Sequence, residues 1–234
     1  MPKIETSIAE GYMLKWTVID ALREVISNAI DAEEREGHTF SIKHKGDILS
    51  VHSKGAKVNA SALLMGYSES RDYVTAIGEF GEGLPLALKT LACRGHDVEI
   101  DNDDERWTPE ISRSEVYNAR VLCIKTRKIK SRGHFEVRVH GIDTETYLEA
   151  RNLFLALSPT EQHEIIQGPG GTNVLLQEDL KGKVFNKGVF VTLNEDLMWG
   201  YNLCTTLNRD RNIIDTYDLR LRINLLIADI LAQG

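Results

Sequence analysis

The sequence has little cysteine and no long apolar run, and each absence excludes a class of protein. Its 234 residues include only three cysteines. They lie far apart without a CxxC pair, so neither a disulfide framework nor a cysteine-based metal site is predicted. No stretch approaches the run of about 20 apolar residues that a membrane-spanning helix needs. The first residues also lack the apolar middle of a secretory signal, so we expect a cytoplasmic protein without a membrane segment.

The chain also has fewer basic residues than acidic residues. The chain has 28 Lys and Arg against 35 Asp and Glu, which gives a net charge of -7. Nucleic-acid binding neutralises phosphates with clustered Lys and Arg, so an acidic total argues against nucleic acid as a partner. The local basic run over residues 125–132 is interpreted as a solvated strand or turn rather than a nucleic-acid patch. A hydrophobic fraction of 42% predicts an ordinary globular core.

What is present is a mixture of helical and strand-like patterns, which predicts an α+β fold. Helices are predicted at 12–34, 60–65, 84–92, 143–157 and 219–231. Strands are predicted at 39–44, 48–52, 96–101, 120–126 and 134–139, with a strand pair over 184–193. The sequence pattern changes after Ser158, so we predict one domain over residues 1–157 and a small α/β extension over 158–234.

The most informative segment is LREVISNAIDA, residues 22–32, inside the first predicted helix. Glu24, Asn28 and Asp31 recur at helical spacing and therefore project from neighbouring turns of one face. A solvated polar stripe explains Asn28 poorly, because asparagine is a weak helix former and gains little there without a partner. An amide oxygen can coordinate Mg²⁺ together with substrate phosphates, and a carboxylate one turn away can activate water.

A glycine-rich segment, IGEFGEGLP over residues 77–85, follows a loop and opens a helix. Glycines let the backbone approach a phosphate, and the N–H groups of a helix N-terminus favour anions. The spacing of Gly78, Gly81 and Gly83 is not a Rossmann fingerprint, since no strand leads directly into it. It is not a P-loop either, since no GK[ST] follows. Taken alone, the segment is explained equally well as a connector.

Together the two segments resemble the GHKL (Bergerat-fold) ATPases, and their text is closest to the N-terminal ATPase domain of the ninety-kilodalton heat-shock chaperone. ExxxNxxDA on a helix is that family's first motif, and IGEFGEG is similar to its third. The resemblance implies a Bergerat-type α/β sandwich, with a mixed and mostly antiparallel sheet covered by helices. It implies slow, Mg²⁺-dependent ATP hydrolysis, with Glu24 as the catalytic base, Asn28 as the Mg²⁺ ligand and Asp31 beside the nucleotide.

The resemblance extends to the segment between these motifs. Met65 to Arg71 is similar to the start of the GHKL lid, so residues 66–83 are expected to form an ATP lid. The resemblance places the loop glycines at the phosphates and three lid residues near the ligand. These residues are Gly78, Gly81 and Gly83, and Ser68, Ser70 and Arg71.

The chain departs from the family at the second motif, DxGxG, whose aspartate binds the adenine amino group. Ser53 stands at the aspartate position, Gly55 is retained, and Lys57 replaces the second glycine. A serine hydroxyl is shorter, neutral and less selective as an acceptor. The nearest match to the family's Gly-Thr strand is Gly133-His134, without the threonine. We therefore expect Ser53 and Gly55 to contact the nucleotide with weakened base recognition.

The C-terminal extension contains a basic cluster with two interpretations. In GHKL machines a Lys or Arg from the following domain reaches the terminal phosphate, where a cation stabilises phosphoryl transfer. By this resemblance Arg209 is the predicted catalytic cation, with Arg211 and Lys187 as further candidates. A surface ion-pair cluster explains the same residues.

Two functions of different class remain open from the sequence. The first is a Mg²⁺-dependent ATPase, favoured by Glu24. The second is a nucleotide-binding sensor or protein-interaction module without turnover, favoured by Ser53. GHKL relatives commonly dimerise when nucleotide is bound, so a homodimer is an expected partner state, and an unidentified protein is another candidate partner. A nucleic-acid accessory function rests only on the basic run and on fold-level analogy.

Overall fold

The computed structural model describes residues 2–65, 77, 82–158, 164–205 and 216–233. The chain divides into two compact units. Residues 2–65 and 82–150 belong to the first, and residues 151–158, 164–205 and 216–233 belong to the second. By compactness the units separate after Ala150, whereas the predicted functional boundary at residue 157 remains a prediction.

The first unit is built on a seven-stranded sheet whose neighbouring strands are all antiparallel. The strands are β1 (Lys3–Ala9), β2 (Phe40–Lys45), β3 (Ile48–Lys54), β4 (Val98–Asn102), β5 (Glu105–Ser114), β6 (Ala119–Lys128) and β7 (His134–His140). Their order across the sheet is β1-β6-β5-β4-β7-β3-β2. Strand β7 therefore lies between β3 and β4, which brings distant parts of the chain into register.

Three α-helices accompany this sheet: α1 (Val18–Glu36), α2 (Gly83–Cys93) and α3 (Thr144–Arg151). Helix α1 begins after Thr17, whose hydroxyl accepts the N–H of Asp20 at 3.1 Å while the Asp20 carboxylate accepts the N–H of Thr17 at 2.9 Å. This capping box fixes the helix start at residue 18. The predicted start at residue 12 was wrong, because an apolar pattern continued into a turn where Met13 has a φ of 51°.

Side chains alternate between the two faces of the sheet along each strand, and the two faces differ in polarity. Val51, Val137 and Ile100 lie side by side across β3, β7 and β4, and all three are buried. We call this the inner face; α1 packs on β3, and α2 packs on β4 and β5. The next row, on the outer face, contains His52, Glu136 and Asp101, again in direct register. One face therefore forms the apolar core, and the other is charged.

The second unit has a five-stranded sheet in the order β11-β10-β12-β9-β8. Its elements are β8 (Ile165–Gln167), β9 (Asn173–Leu175), β10 (Lys183–Asn186), β11 (Val189–Leu193), β12 (Gly200–Leu203) and α4 (Thr216–Gln233). Strands β10 and β12 are parallel, whereas the other pairs are antiparallel. Leu219, Ile223 and Leu226 of α4 complete an apolar core with side chains from the sheet.

The fold is thus α+β with a mostly antiparallel sheet, as predicted. The hairpin β2–β3 turns through Gly46, whose φ of 65° suits the left-handed region, and the predicted pair β10–β11 is present. The helix predicted over 143–157 was wrong beyond Arg151, because Phe154 forms a β-bridge with Val189. In addition, the Leu155 N–H donates to Gly188 at 2.9 Å, so this backbone pairs with a strand.

None of the helices among the described residues combines the length and the apolar character needed to cross a membrane.

Candidate functional site

The three predicted residues of α1 lie on one side of the helix, where it meets the rest of the unit. Glu24 and Asp31 are only 2% and 3% exposed, and Asn28 is half-buried. These two carboxylates lie about two helical turns apart, and carboxylates are rarely buried without a specific reason. Burial raises the pKa of the neighbouring Glu34, as do the negative charges of Asp31 and Glu33.

Two further polar atoms of α1 are buried without a hydrogen-bond partner in the part of the chain that the structure describes. They are Nδ2 of Asn28 and Oγ of Ser27, and Ser27 is 1% exposed. A buried polar group without a partner costs roughly 1–3 kcal/mol, so each such atom calls for an explanation. The sequence interpretation missed Ser27, although it lies three residues after Glu24 and four before Asp31, on the same stripe.

The structure also brings the end of the glycine-rich segment to helix α1. Gly83, the first residue of α2, lies so close to Glu24 that a Cβ at this position would be 2.2 Å from the Glu24 Oε2 atom. The φ of Gly83 is not positive. Position 83 therefore needs glycine because a side chain does not fit, and not because of its backbone conformation. A side chain at position 83 would displace the Glu24 carboxylate, which has little room because it is buried.

The first turn of α2 is suited to an anion. Its N-cap residue, Glu82, makes no side-chain capping hydrogen bond, and the first turn contains no acidic residue. The α2 helix has 11 residues, enough for a dipole whose positive end lies at Gly83. Pro85 lacks an N–H, which is tolerated in a first turn. The Glu24 carboxylate beside Gly83 is itself an anion at this helix end, so a structural role for it is an alternative.

These residues fit a magnesium–phosphate group. Mg²⁺ prefers oxygen ligands and is held by one or two protein groups together with substrate phosphates. Helix α1 offers the amide of Asn28 and the carboxylates of Glu24 and Asp31. The Asn28 amide nitrogen has no hydrogen-bond partner among the described residues. The start of α2 offers backbone N–H groups and a glycine where close approach is required.

The end of β3 was predicted to contact the base. Ser53 lies on the inner face, 3% exposed, opposite Phe135 of β7. Gly55 follows with a φ of 82°, a conformation that favours glycine, and a Cβ there would make a tight contact of 3.1 Å with the His38 Nδ1 atom. The Gly55 N–H donates to the Gly133 carbonyl at 2.9 Å, which joins the second-motif segment to the start of β7.

The loop after Gly55 is held by its own polar contacts. The buried Asn102 side chain accepts the Val58 N–H at 2.9 Å and donates to the Val58 carbonyl at 2.7 Å. Lys57 forms ion pairs with Asp104 at 2.8 Å and Asp103 at 3.2 Å. Lys57, which stands at the second glycine position of the DxGxG motif, therefore binds the turn after β4.

His134 does not share a face with Ser53. It lies opposite Lys54 in the β3–β7 register, whereas Phe135 lies opposite Ser53. The side chain of position 134 is thus on the outer face. The Gly133-His134 segment therefore places no side chain of position 134 on the face that contains Ser53.

The remaining predicted site residues lie outside the described residues. This holds for the lid and loop residues and for the C-terminal arginine: Ser68, Ser70, Arg71, Gly78, Gly81 and Arg209. Arg211 lies outside them as well. Lys187 is described in the second unit, where it has a φ of 51° and its N–H donates to Leu203 at 2.7 Å.

Comparison with known proteins gives a sequence relative and structural similarities of limited extent. An uncharacterized protein of Mycoplasma pneumoniae is 24% identical over 230 positions, covering 89% of this chain and 90% of that protein. The ATPase region of Saccharomyces cerevisiae topoisomerase II matches with a TM-score of 0.46 and 10% identity, over 74% of this chain. The same region bound to ICRF-187 (dexrazoxane) matches with a TM-score of 0.44 and 10% identity, over 75% of this chain.

The chain spans only 62% and 63% of those two ATPase regions. No family model matches the sequence.

Proposed function

We propose that this chain binds the phosphates of a nucleoside triphosphate with Mg²⁺ and hydrolyses the nucleotide slowly, in the manner of GHKL ATPases, with ATP as the expected substrate. The observation that carries the proposal is the contact between the two motif segments, in which the Glu24 carboxylate lies against the backbone of Gly83. Without this contact, the polar residues of α1 and the glycine-rich segment would be two unrelated sequence patterns.

Each residue has one role in this proposal. The Asn28 amide oxygen coordinates Mg²⁺, and Asp31 hydrogen-bonds the nucleotide or its bound water. The N–H groups at the start of α2 bind phosphate oxygens, and Gly83 leaves them room to approach. Mg²⁺, when bound, supplies positive charge that neutralises the phosphates. The buried Glu24 carboxylate orients the attacking water and accepts its proton.

The segment between the motifs contributes the lid. Ser68, Ser70, Arg71, Gly78 and Gly81 are proposed to close over the phosphates. Lid closure often limits turnover in enzymes of this type, which is the reason to expect slow hydrolysis. Arg209 is proposed to reach the terminal phosphate, where a cation stabilises charge that develops during transfer. A homodimer formed on nucleotide binding and a protein partner belong to the same hypothesis.

Base recognition is proposed to be weak. Ser53 offers a neutral hydroxyl in place of a carboxylate, and a charged acceptor forms the stronger hydrogen bond with an amino group. Gly55 keeps the backbone turn at the end of β3. Triphosphate and Mg²⁺ should therefore contribute more to affinity than the identity of the base.

A second candidate function is a nucleotide sensor or protein-interaction module without turnover. It is favoured by the polar contacts at the end of β3, where Lys57 and Asn102 are engaged with neighbouring residues. The two functions differ at Glu24. Replacement of a catalytic base removes turnover and spares binding, whereas in a sensor it leaves the nucleotide response unchanged.

The test is a calorimetric titration of the purified chain with ATP, ADP, GTP and a non-hydrolysable ATP analogue, each with and without Mg²⁺. We expect Mg²⁺-dependent binding of both triphosphates, with modest preference between the bases. Phosphate release is then measured under the same conditions. Absence of heat with every nucleotide would contradict the proposal, and binding without phosphate release would select the sensor.

A further inference from the structure

Helix α4 of the second unit is apolar on two opposite faces. Leu219, Ile223 and Leu226 are buried in one apolar core with side chains of the sheet. The opposite side of the helix, which we call the exposed α4 face, contains six apolar residues: Tyr217 (77% exposed), Leu221 (45%), Leu225 (55%), Leu231 (75%), Ala228 and Ala232. One apolar face therefore belongs to the core of the unit, whereas the other is exposed.

The exposed α4 face is continuous along the helix. Tyr217, Leu221 and Leu225 follow one another at intervals of four residues, and Ala228 and Ala232 continue the row after three and then four. Side chains at these spacings are neighbours on the helix surface, and the row extends over roughly 22 Å. A surface helix normally has polar residues opposite its core face, so a continuous apolar row indicates a surface that binds another molecule.

Side-chain size along the row identifies a second copy of the chain as the molecule that fits. The large side chains of Tyr217 and Leu221 lie in the first half of the row, and the small Ala228 and Ala232 lie in the second half. Two α4 helices that pack antiparallel around a two-fold axis at the middle of the row therefore bring large residues onto small ones. Leu221 of one copy then lies between Ala228 and Ala232 of the other.

The charges beside the row are self-complementary in the same arrangement. Arg222 and Asp229 are about two helical turns apart and therefore flank the row on the same side. A two-fold axis between Leu225 and Leu226 sets Arg222 of each copy opposite Asp229 of the other, so the ion pair forms twice. Asp229 is exposed and forms no ion pair in the part of the chain that the structure describes. A parallel pair would instead set like charges side by side.

Arg222 is already oriented for this contact. Its Nε atom donates to Oδ2 of Asp218 at 2.7 Å, and its Nη1 atom donates to Oγ1 of Thr205. Among the described residues these contacts leave the Nη2 group for a further carboxylate. A side chain that is ordered before association loses less conformational freedom when the complex forms.

We propose that two copies of this chain form a two-fold symmetric dimer in which the α4 helices pack antiparallel through the exposed α4 face. The dimer does not need nucleotide, because every residue of the contact belongs to α4. A contact between two helices of this length is smaller than the interfaces of roughly 1,200–2,000 Å² that hold stable complexes. The association is therefore reversible and depends on protein concentration.

The test is sedimentation velocity of the full chain without nucleotide, from about 1 µM to about 200 µM. We expect the sedimentation coefficient to rise with concentration from that of a monomer to that of a dimer. Leu225→Glu places two carboxylates near the two-fold axis and should weaken the dimer at least about 30-fold. The matched control is Leu148→Glu, the same change at a leucine of α3 that is 42% exposed. It should keep the wild-type dissociation constant.

A charge exchange tests the antiparallel arrangement. Arg222→Glu and Asp229→Lys each set like charges opposite one another and should weaken the dimer roughly 3- to 10-fold. The double variant Arg222→Glu/Asp229→Lys restores opposite charges and should regain the wild-type dissociation constant within about threefold. A purely structural role of Arg222 would not be rescued by a change at Asp229. Circular dichroism establishes that each variant is folded, and Asp229→Lys leaves the contacts of Arg222 with Asp218 and Thr205 intact.

A chain that stays monomeric at every concentration would overturn the proposal. Equal dissociation constants for Leu225→Glu and Leu148→Glu would overturn it as well, because the dimer would then use another surface. A chain that dimerises only after ATP and Mg²⁺ are added would also contradict it, since that association would depend on the nucleotide site. Failure of the double variant to regain affinity would exclude the antiparallel arrangement.

Discussion

The two ends of the candidate nucleotide site differ in how their polar groups are satisfied. At the phosphate end, the buried atoms Ser27 Oγ and Asn28 Nδ2 have no hydrogen-bond partner among the described residues, and Gly83 leaves space beside Glu24. At the base end, Lys57 and Asn102 bind neighbouring groups of the same unit. Groups left without partners indicate a ligand, whereas groups that bind one another stabilise a loop.

The largest effect is expected for Glu24→Gln, which keeps the shape of the side chain and removes its basicity. Turnover should fall by roughly 10²- to 10⁴-fold while nucleotide binding is retained, because general-base catalysis contributes about that factor. Phosphate release and calorimetry measure the two quantities. Glu33→Gln, on the same helix but exposed, is the control. Equal losses in both variants would make the proposed catalytic role of Glu24 wrong.

Gly83→Ala should have the next largest effect. The new Cβ occupies the space of the Glu24 Oε2 atom, so the carboxylate must move. A misplacement of about 1 Å can cost roughly 100-fold in turnover, so we expect a loss between 10- and 100-fold. Gly11→Ala is the control, because a Cβ at that position meets nothing within 4 Å. If both variants hydrolyse at the wild-type rate, the two motif segments do not form one catalytic site.

At the base end we expect a gain rather than a loss. Ser53→Asp introduces a charged acceptor at the position that matches the aspartate of the DxGxG motif, which is the proposed base contact. ATP should then be preferred over GTP by roughly tenfold more than in the wild type, because a charge-assisted hydrogen bond contributes about 1.5–3 kcal/mol. Thermal shifts with each nucleotide measure this preference. Ser50→Asp, on the outer face of the same strand, is the control. An unchanged ratio would place the base elsewhere.

The smallest effect concerns the ion pairs of the loop at the base end. Hydrogen bonds from Lys57 and Lys128 lower the pKa of Asp104 to about 2. A carboxyl whose folded-state pKa lies below its unfolded value of about 3.9 stabilises the fold above that value. This contribution is lost as the pH falls through the folded-state pKa. The stability difference between wild type and Lys57→Ala should therefore be constant from pH 7 to about 4 and disappear near pH 2.

Urea denaturation at a series of pH values measures that difference. Lys130→Ala, exposed in the same region, is the control and should show no such dependence. A difference that vanished already between pH 6 and 5 would exclude these carboxylates as its source.

Local patterns predicted the elements at both ends of the candidate site: helices α1 and α2 at the phosphate end, and strands β3 and β7 at the base end. Helical spacing is local information, so Glu24, Asn28 and Asp31 could be placed on one face before any tertiary contact was known. The contact between Glu24 and Gly83 depends on helix packing, which no local pattern reports. Ser27 could have been predicted as a site residue, because it lies on the same helix face as Glu24 and Asp31. A serine in a helix, however, usually needs no functional explanation.

Strands were harder to predict than helices for a physical reason. Strand β1 has alternating Ile4, Thr6 and Ile8, a period-two pattern that was overlooked. Strand β5 contains Pro109, which lacks a backbone N–H, and proline makes an interior strand hard to predict. Strand β5 nevertheless pairs with both β4 and β6. Beyond Arg151 the helical pattern was overridden by pairing of Phe154 with Val189. Strand partners distant in sequence decide such cases.

The most direct test of the central claim is the affinity of the Asn28→Ala variant for a non-hydrolysable ATP analogue, with and without Mg²⁺. Asn224→Ala, an exposed asparagine on helix α4, makes the same chemical change away from the site. We predict that the Mg²⁺-dependent part of the affinity falls by roughly 10- to 100-fold in Asn28→Ala only, as for other metal-site residues. Equal, Mg²⁺-dependent affinities in wild type and both variants would contradict a phosphate site built on α1.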